Sequence, residues 1–312
     1  MTAVVHPEAI SQSGTTPSST TPSSTTQDLP DEIRWAAGST LLGLFAVALF
    51  DQAALPEVSA ALARTGRIRS DALGRATRSA ASHQIITWGT NEDRAAEAER
   101  LKTLHRTVRG TNEDGRPYSA LAPDLWMFIQ ASSIIMTRNG VATLLGRELT
   151  PDEDEALYTY VLHDLEALQL GRGAHLPGTW SELLTWYEHM LPRIERTESL
   201  DDAFRNAHRP PAPPTVPAPL RPAWRLLRQP VGRTLVVLGL GVMHPDARQR
   251  MPINWGAAED VQFKILSTCV ATAYRRLPKR ITLSPLAYNR WRYEQLITHY
   301  RAVGLQSFDP QG

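Results

Sequence analysis

Residues 91–110 read NEDRAAEAERLKTLHRTVRG, and this stretch decides the fold class. Leu101, Leu104, His105 and Val108 recur at i, i+3, i+4 and i+7, so they share one face of an α-helix. Glu92, Glu97 and Glu99 crowd its start and Arg106 and Arg109 its end, the polarity that a helix dipole favours. Gly110 is the expected stop. On this reading His105 points inward among leucines.

The pattern outward from this helix is again helical. TNEDGRPYSALAP (111–123) reads as a turn-rich loop, and DLWMFIQASSIIMTRN (124–139) as an apolar helix. Thr150 and Glu153 bracket Pro151 as a capping box with a first-turn proline, opening a helix to about Leu170 that Gly171 closes. Thr179 opens another, to about Leu191. The Pro-rich stretch RPPAPPTVPAPLRP (209–222) is excluded from helix and central strand, and reads as a rigid spacer or lid connection. TLVVLGLGV (234–242) is the best strand candidate and equally a buried helical segment. Helices are expected again over about 258–276 and 286–301.

On the other side, residues 70–88 keep a helical pattern that ends in the apolar IITW. WAAGSTLLGLFAVALF (35–50) is apolar almost all round, as a central helix would be. It is about 16 residues long and Asp51 ends it, whereas a spanning helix needs about 20, so a core helix is expected and no stable membrane span. Residues 1–30 form a Ser/Thr/Pro tract with too few apolar groups to offset ordering, and are expected to be disordered. The fold class is therefore all-α, with one multi-helix domain over 31–305 behind that tail.

Composition narrows the function. The 312 residues carry a formal charge of +1, so no basic excess points to nucleic acid. The single cysteine, Cys269, excludes an internal disulfide and any CxxC-type metal site, and is expected in the core. No basic start with an apolar run marks a signal peptide, and a cytoplasmic location is expected. G-x-S-x-G, HExxH and P-loop patterns are absent. GLGVMHPDAR (239–248) lacks the dinucleotide-binding spacing, and His163, His175, His189 and His244 are scattered without ligand spacing.

Two groups of residues could carry chemistry. His105 on an apolar face is either a satisfied core histidine or an axial ligand, because a neutral imidazole in an apolar wall is what haem iron takes on its proximal side. Lys102, Arg106 and Arg109 around it are either a solvated helix end or partners for carboxylates. In GRATRSAASHQ (74–84), Arg75, Arg78, Ser79 and Ser82 fall on one helix face. That stripe is either a solvent face or, if the helix is buried as IITW suggests, the wall of a pocket.

GRATRSAA, followed by LHRTVRGTNEDGRPYSALAPDLWMFI, then LPGTWSELLTWYEHML and LPKRITLSPLA, resembles in order and spacing the rubber-oxygenase (latex-clearing) and ER-bound MpaB-type oxygenase family over about residues 35–295. The resemblance implies an all-helical domain that encloses haem b, and an activity that uses O₂ on an apolar substrate, isoprenoid or another natural product, by oxidative cleavage of C=C bonds. It implies His105 as the proximal iron ligand. Arg75, Arg78 and Ser79 match the distal Arg-x-x-Lys-Thr group, with Arg78 in place of lysine and Ser79 in place of threonine. Lys102 and Arg109 match two arginines that flank the proximal histidine. Gln130 stands where many relatives have histidine, and reads otherwise as a structural hydrogen-bonding residue. No motif specifies an electron donor. Two other expectations stand beside this one: a haem oxidase of the same fold performing hydroxylation, desaturation or coupling, and a haem-free helical protein that binds lipid or a partner.

Overall fold

The segment Thr40–Ala54 winds as a 3-10 helix, in which side chains three apart eclipse one another. Its burial largely follows that period. Leu42, Phe45, Ala48, Asp51 and Ala54 fall at every third position and all are buried, whereas Gly43 and Ala46 are exposed. The single core helix expected over 35–50 is thus two pieces. Helix α1 (Asp31–Ala37) ends at Gly38, and the Ser39 hydroxyl accepts the Leu41 N–H at 3.1 Å to start the second piece. Asp51 does not end the run; it lies inside it, 1% exposed.

This computed structural model describes residues 29–66, 71–112, 115–171, 175–213 and 216–304. The expected disordered tail lies outside them as far as residue 28, and so does Ser70. After the 3-10 helix come α2 (Pro56–Thr65), α3 (Ala72–Trp88), α4 (Asn91–Arg106), strands β1 (Arg109–Thr111) and β2 (Pro117–Ser119), α5 (Pro123–Leu145), α6 (Pro151–Asp164) and α7 (Trp180–Met190). Then follow α8 (Glu198–His208), α9 (Arg221–Val242), α10 (Pro245–Gln249), α11 (Ala257–Arg276), α12 (Lys279–Thr282) and α13 (Pro285–Ala302). The expected all-α class holds, with one short hairpin.

Helices α5 and α9 flank the 3-10 helix, α11 packs on both of them, and α2 and α8 cover a further side. Two glycines permit this close approach. A Cβ on Gly140 of α5 would lie 2.7 Å from Leu42 Cδ2, and one on Gly239 of α9 would lie 2.5 Å from Val47 Cβ and 3.0 Å from the Ala48 nitrogen. Because backbone stands opposite Gly239, nothing there can swing aside. Gly239→Ala is expected to destabilise the protein by about 1–3 kcal/mol, the usual cost of overpacking, and Gly239→Leu by more. Urea melts of the two variants check this.

The boundaries differ from the expected ones for local reasons. Helix α4 ends at Arg106, so Gly110 does not stop it but sits in β1 opposite Tyr118. The turn-rich loop is therefore a hairpin of three-residue strands, too short to show alternation. TLVVLGLGV is helical, as the second half of α9. Within 209–222 the helix already starts at Arg221, with Pro222 in its first turn where no N–H is needed; residues 214–215 lie outside the description. Cys269, expected in the core, is exposed, because α11 turns its other side to α5 and α9. Helix α13 is seated by a separate apolar cluster of Trp35, Leu283 and Ala287, against which Trp88 stacks on Trp35 at 5.7 Å. No single helix among the described residues is long and apolar enough to cross a membrane; the bent pair Thr40–Ala54 and Pro56–Thr65 passes by length and composition together.

Candidate functional site

The site is built on a helical hairpin. Gly89 and Thr90 turn the chain between α3 and α4, and Thr90 caps α4 with Asp93 in a reciprocal capping box. Arg94 donates to the Thr87 carbonyl at 3.1 Å, and further out Ser82 donates to the Glu97 carboxylate. These contacts fix an antiparallel register. From Ser82, Arg75 lies seven residues back along α3; from Glu97, His105 lies eight forward along α4. At a rise of 1.5 Å per residue both lie about 10–12 Å from the shared contact, so Arg75 stands level with His105. By the same register Arg78 and Ser79 stand level with Leu101 and Arg100. Residues far apart in the motif thus share one end of the hairpin.

His105 is half-buried on the last turn of α4. Its Nδ1 lies 2.7 Å from the Leu101 carbonyl oxygen. A carbonyl can only accept, so Nδ1 carries a proton, and in a neutral ring the lone pair would then lie on Nε2. The edge-on Trp126 ring, 5.4 Å away, fixes the imidazole from the α5 side, and Trp126 is itself pinned by donating to the Leu168 carbonyl at 2.8 Å. Lys102 donates to the Ala167 carbonyl at 2.7 Å, which ties α4 to the 3-10 turn Glu166–Leu168. Arg109 is exposed in β1, and its own carbonyl accepts from Arg64. Leu104, expected to face the core, is 50% exposed; Glu97 and Ala98 take the buried positions of α4 instead.

On α3 the stripe is open rather than packed. Arg78 and Ser79 are exposed, and Arg78 pairs with Asp71 at 2.9 Å. Arg75 is half-buried and Ser82 is held by Glu97. The burial suggested by IITW reaches only Ile86 and Thr87. The Arg100 guanidinium bonded to Glu97 at 2.6 Å, together with the Ser82 hydroxyl, holds that carboxyl below its usual range despite its burial. At the turn end of the hairpin, Arg94 meets the buried Asp164 at 2.9 Å. Burial there outweighs the Arg94 and Arg34 charges and pushes the Asp164 carboxyl up to about 7.

Gln130 is buried one turn after Trp126. It donates to the Trp126 carbonyl at 3.2 Å and accepts from Gln169 at 3.1 Å, and Gln169 accepts the Leu176 N–H at 3.1 Å. Its place is a hydrogen-bonded seam behind the tryptophan that touches His105. Sequence reasoning did not single out Trp126, Glu97 or Asp164. Glu97 could have been found, since it lies four residues before Leu101 on the face that continues to His105. Trp126 carries no such signal, because its contact with His105 is tertiary.

The comparisons with known proteins agree with this architecture. The family model described as "ER-bound oxygenase mpaB/B'/Rubber oxygenase, catalytic domain" matches residues 34–272, from α1 to within α11. The helical domain is thus an oxygenase-type catalytic domain, an oxidoreductase class whose reaction takes O₂ and an organic substrate. The chain belongs to the mpaB and rubber oxygenase family. No curated protein and no solved structure matches it.

Proposed function

We propose that the protein is a haem b-dependent oxygenase with His105 as the protein ligand of the iron. The observation that carries this reading is the 2.7 Å contact from Nδ1 to the Leu101 carbonyl, which leaves an Nε2 lone pair on a ring steadied by Trp126. A ligating histidine characteristically has its other ring nitrogen fixed in this way.

The donor set fits the group. Lys102 uses one of three ammonium donors on Ala167 and has others for a propionate carboxylate. Arg109, exposed beyond the end of α4, would take a propionate too, and a guanidinium suits a carboxylate best. Haem when bound supplies dioxygen activation and the redox equivalents of the oxygenation. Arg75, level with His105, and Arg78 and Ser79, about one turn nearer the Ser82–Glu97 contact, would offer guanidinium and hydroxyl donors to developing negative charge. A guanidinium stays protonated, so Arg78 donates and does not ligate, unlike the lysine expected at its position. The half-exposed Leu104 gives the site an apolar border, which favours an apolar substrate such as an isoprenoid chain. Oxidative C=C cleavage is the reaction we assign.

The test is spectroscopic first and chemical second. Purified protein, or protein given hemin, is expected to show a Soret band. Incubated with squalene under ¹⁸O₂, it is expected to yield fragments labelled on both new carbonyls, read quickly enough to limit exchange with water. Protein that neither carries nor takes up haem overturns the reading. Label in a hydroxyl group, or loss of hydrogen without label, keeps the cofactor and replaces cleavage by hydroxylation or desaturation.

A further inference from the structure

A recess of about 500 Å³ opens between the second half of α8 and the Pro252–Ile253 turn that follows α10. None of the residues assigned to haem or oxygen lines it, and its ligand chemistry stands independently of His105. Asp201, Phe204, Arg205 and His208 fall at i, i+3, i+4 and i+7, so a single face of α8 makes one wall. Phe204 is buried and meets Phe50 edge-on at 5.1 Å, so the floor is continuous with the core. Pro252 and Ile253 complete the apolar side.

The rim is cationic. Arg196, Arg205 and Arg209 stand against one lining carboxylate, Asp201, which Arg196 already engages through Nε at 3.0 and 3.2 Å. Arg205 is backed by the buried Asp202. Arg209 is exposed and makes no ion pair among the described residues. Burial and the nearby Arg233 hold the His208 imidazole below its usual range, so it adds a hydrogen-bonding group without charge at neutral pH. Cations in the last turn of a helix are ordinary, since they offset the dipole. The dipole does not explain why they border an apolar floor, nor why Arg196 joins them from the loop before the helix. The volume lies within the roughly 300–1,000 Å³ typical of small-molecule sites.

We propose that this recess binds an amphiphile with an anionic head, a carboxylate or a phosphate ester. The apolar part lies on Phe204, Pro252 and Ile253, and the head is taken by Arg209 and Arg205, whose forked donors match either anion. Such a ligand is distinct from an uncharged chain delivered to the His105 region.

Isothermal titration of the full chain with dodecanoate, dodecyl phosphate and dodecanol, each below its micelle threshold, tests this. At least one anion is expected to bind tenfold or more tightly than the alcohol, and the stronger of the two identifies the head. Arg209→Gln should weaken that anion about tenfold with an unchanged melting temperature, Arg209→Lys should retain most of the affinity, and Ile253→Glu should abolish it. Equal affinity for anion and alcohol, no binding of either anion, or anion binding indifferent to Arg209→Gln overturns the proposal. Should Ile253→Glu fail to fold, Arg209→Gln, at an exposed position, decides alone.

Discussion

Replacing His105 with alanine is expected to remove most of the haem while leaving the helical circular dichroism intact. The fold has little to lose at this position. The imidazole is half-buried, its hydrogen bond is to a carbonyl of its own helix, and its one ring contact among the described residues is the edge of Trp126. A hydrogen bond of this kind contributes about 1 kcal/mol net and an aromatic edge contact about as much. Alanine is the better helix former, which offsets part of that. The iron, by contrast, would lose its only strong protein bond. The expected result is a protein with near-native melting behaviour, little Soret absorbance and no oxygenase activity, with partial return of the Soret band in added imidazole. Full haem retention in this variant moves the ligand elsewhere, with His83 and His163 next in line. Loss of helicity together with haem would instead assign His105 a structural role.

The hairpin that carries this residue was legible because its signals are local. Thr150 and Thr179 open helices where the sequence placed their starts, but the first ends at Asp164 and gives way to the 3-10 turn Glu166–Leu168, short of the expected Leu170 and its stop at Gly171. What was not legible depends on neighbours. The 3-10 winding of Thr40–Ala54 hides in an apolar string, because a segment apolar nearly all round favours no period until partners choose its buried side. Gly140 and Gly239 make that choice by letting α5 and α9 approach. The same holds at the site. The motif named Arg75, Arg78, Ser79 and His105, and the hairpin register set by Ser82 and Glu97 brings them to one end. Their surface exposure could not be read, since IITW predicts burial for the whole of α3 when only its last turns pack. Helix α8 is not among the expected helices although Leu200, Ala203, Phe204 and Ala207 share one face behind the Thr197 cap, and its wall of Phe204 and arginines has meaning only beside Pro252 and Ile253.

Substitution at the buried Asp51 should cost several kcal/mol, and the chemistry of the replacement decides how much. Its carboxylate lies on the buried column of the 3-10 helix, accepting from the Tyr187 hydroxyl at 2.5 Å, the Ser132 hydroxyl at 2.7 Å and the Gln52 N–H at 2.7 Å. Tyr187 has no freedom to find another partner, being stacked on Phe128 at 5.2 Å with His244 at its edge. Asp51→Ala therefore strands buried donors at about 1–3 kcal/mol each and opens a small void, for a total of roughly 3–5 kcal/mol. Asp51→Asn keeps an oxygen for Ser132 and Gln52 and turns an amide toward Tyr187, whose oxygen can accept. It also removes the buried charge. Burial raises the Asp51 carboxyl from 3.8 to about 6, despite the hydrogen bonds that oppose the rise. The native state thus holds its proton more tightly than the unfolded chain does. Stability from this residue is full below about pH 4, falls as pH rises toward 6, and is level above that, a loss of about 3 kcal/mol at 1.36 kcal/mol per pH unit. Asp164, raised to about 7, slopes in the same direction and is present in both proteins, so the difference between wild type and Asp51→Asn isolates Asp51. Urea melts at about pH 4.5 and 7.5 are expected to show the Asn variant losing less stability across that interval, and matching or exceeding wild type at the upper pH. An Asn variant as damaged as Asp51→Ala at pH 7.5 would mean that the ionised carboxylate itself holds Tyr187 and Ser132 together, and that its charge stabilises the fold more than its burial costs.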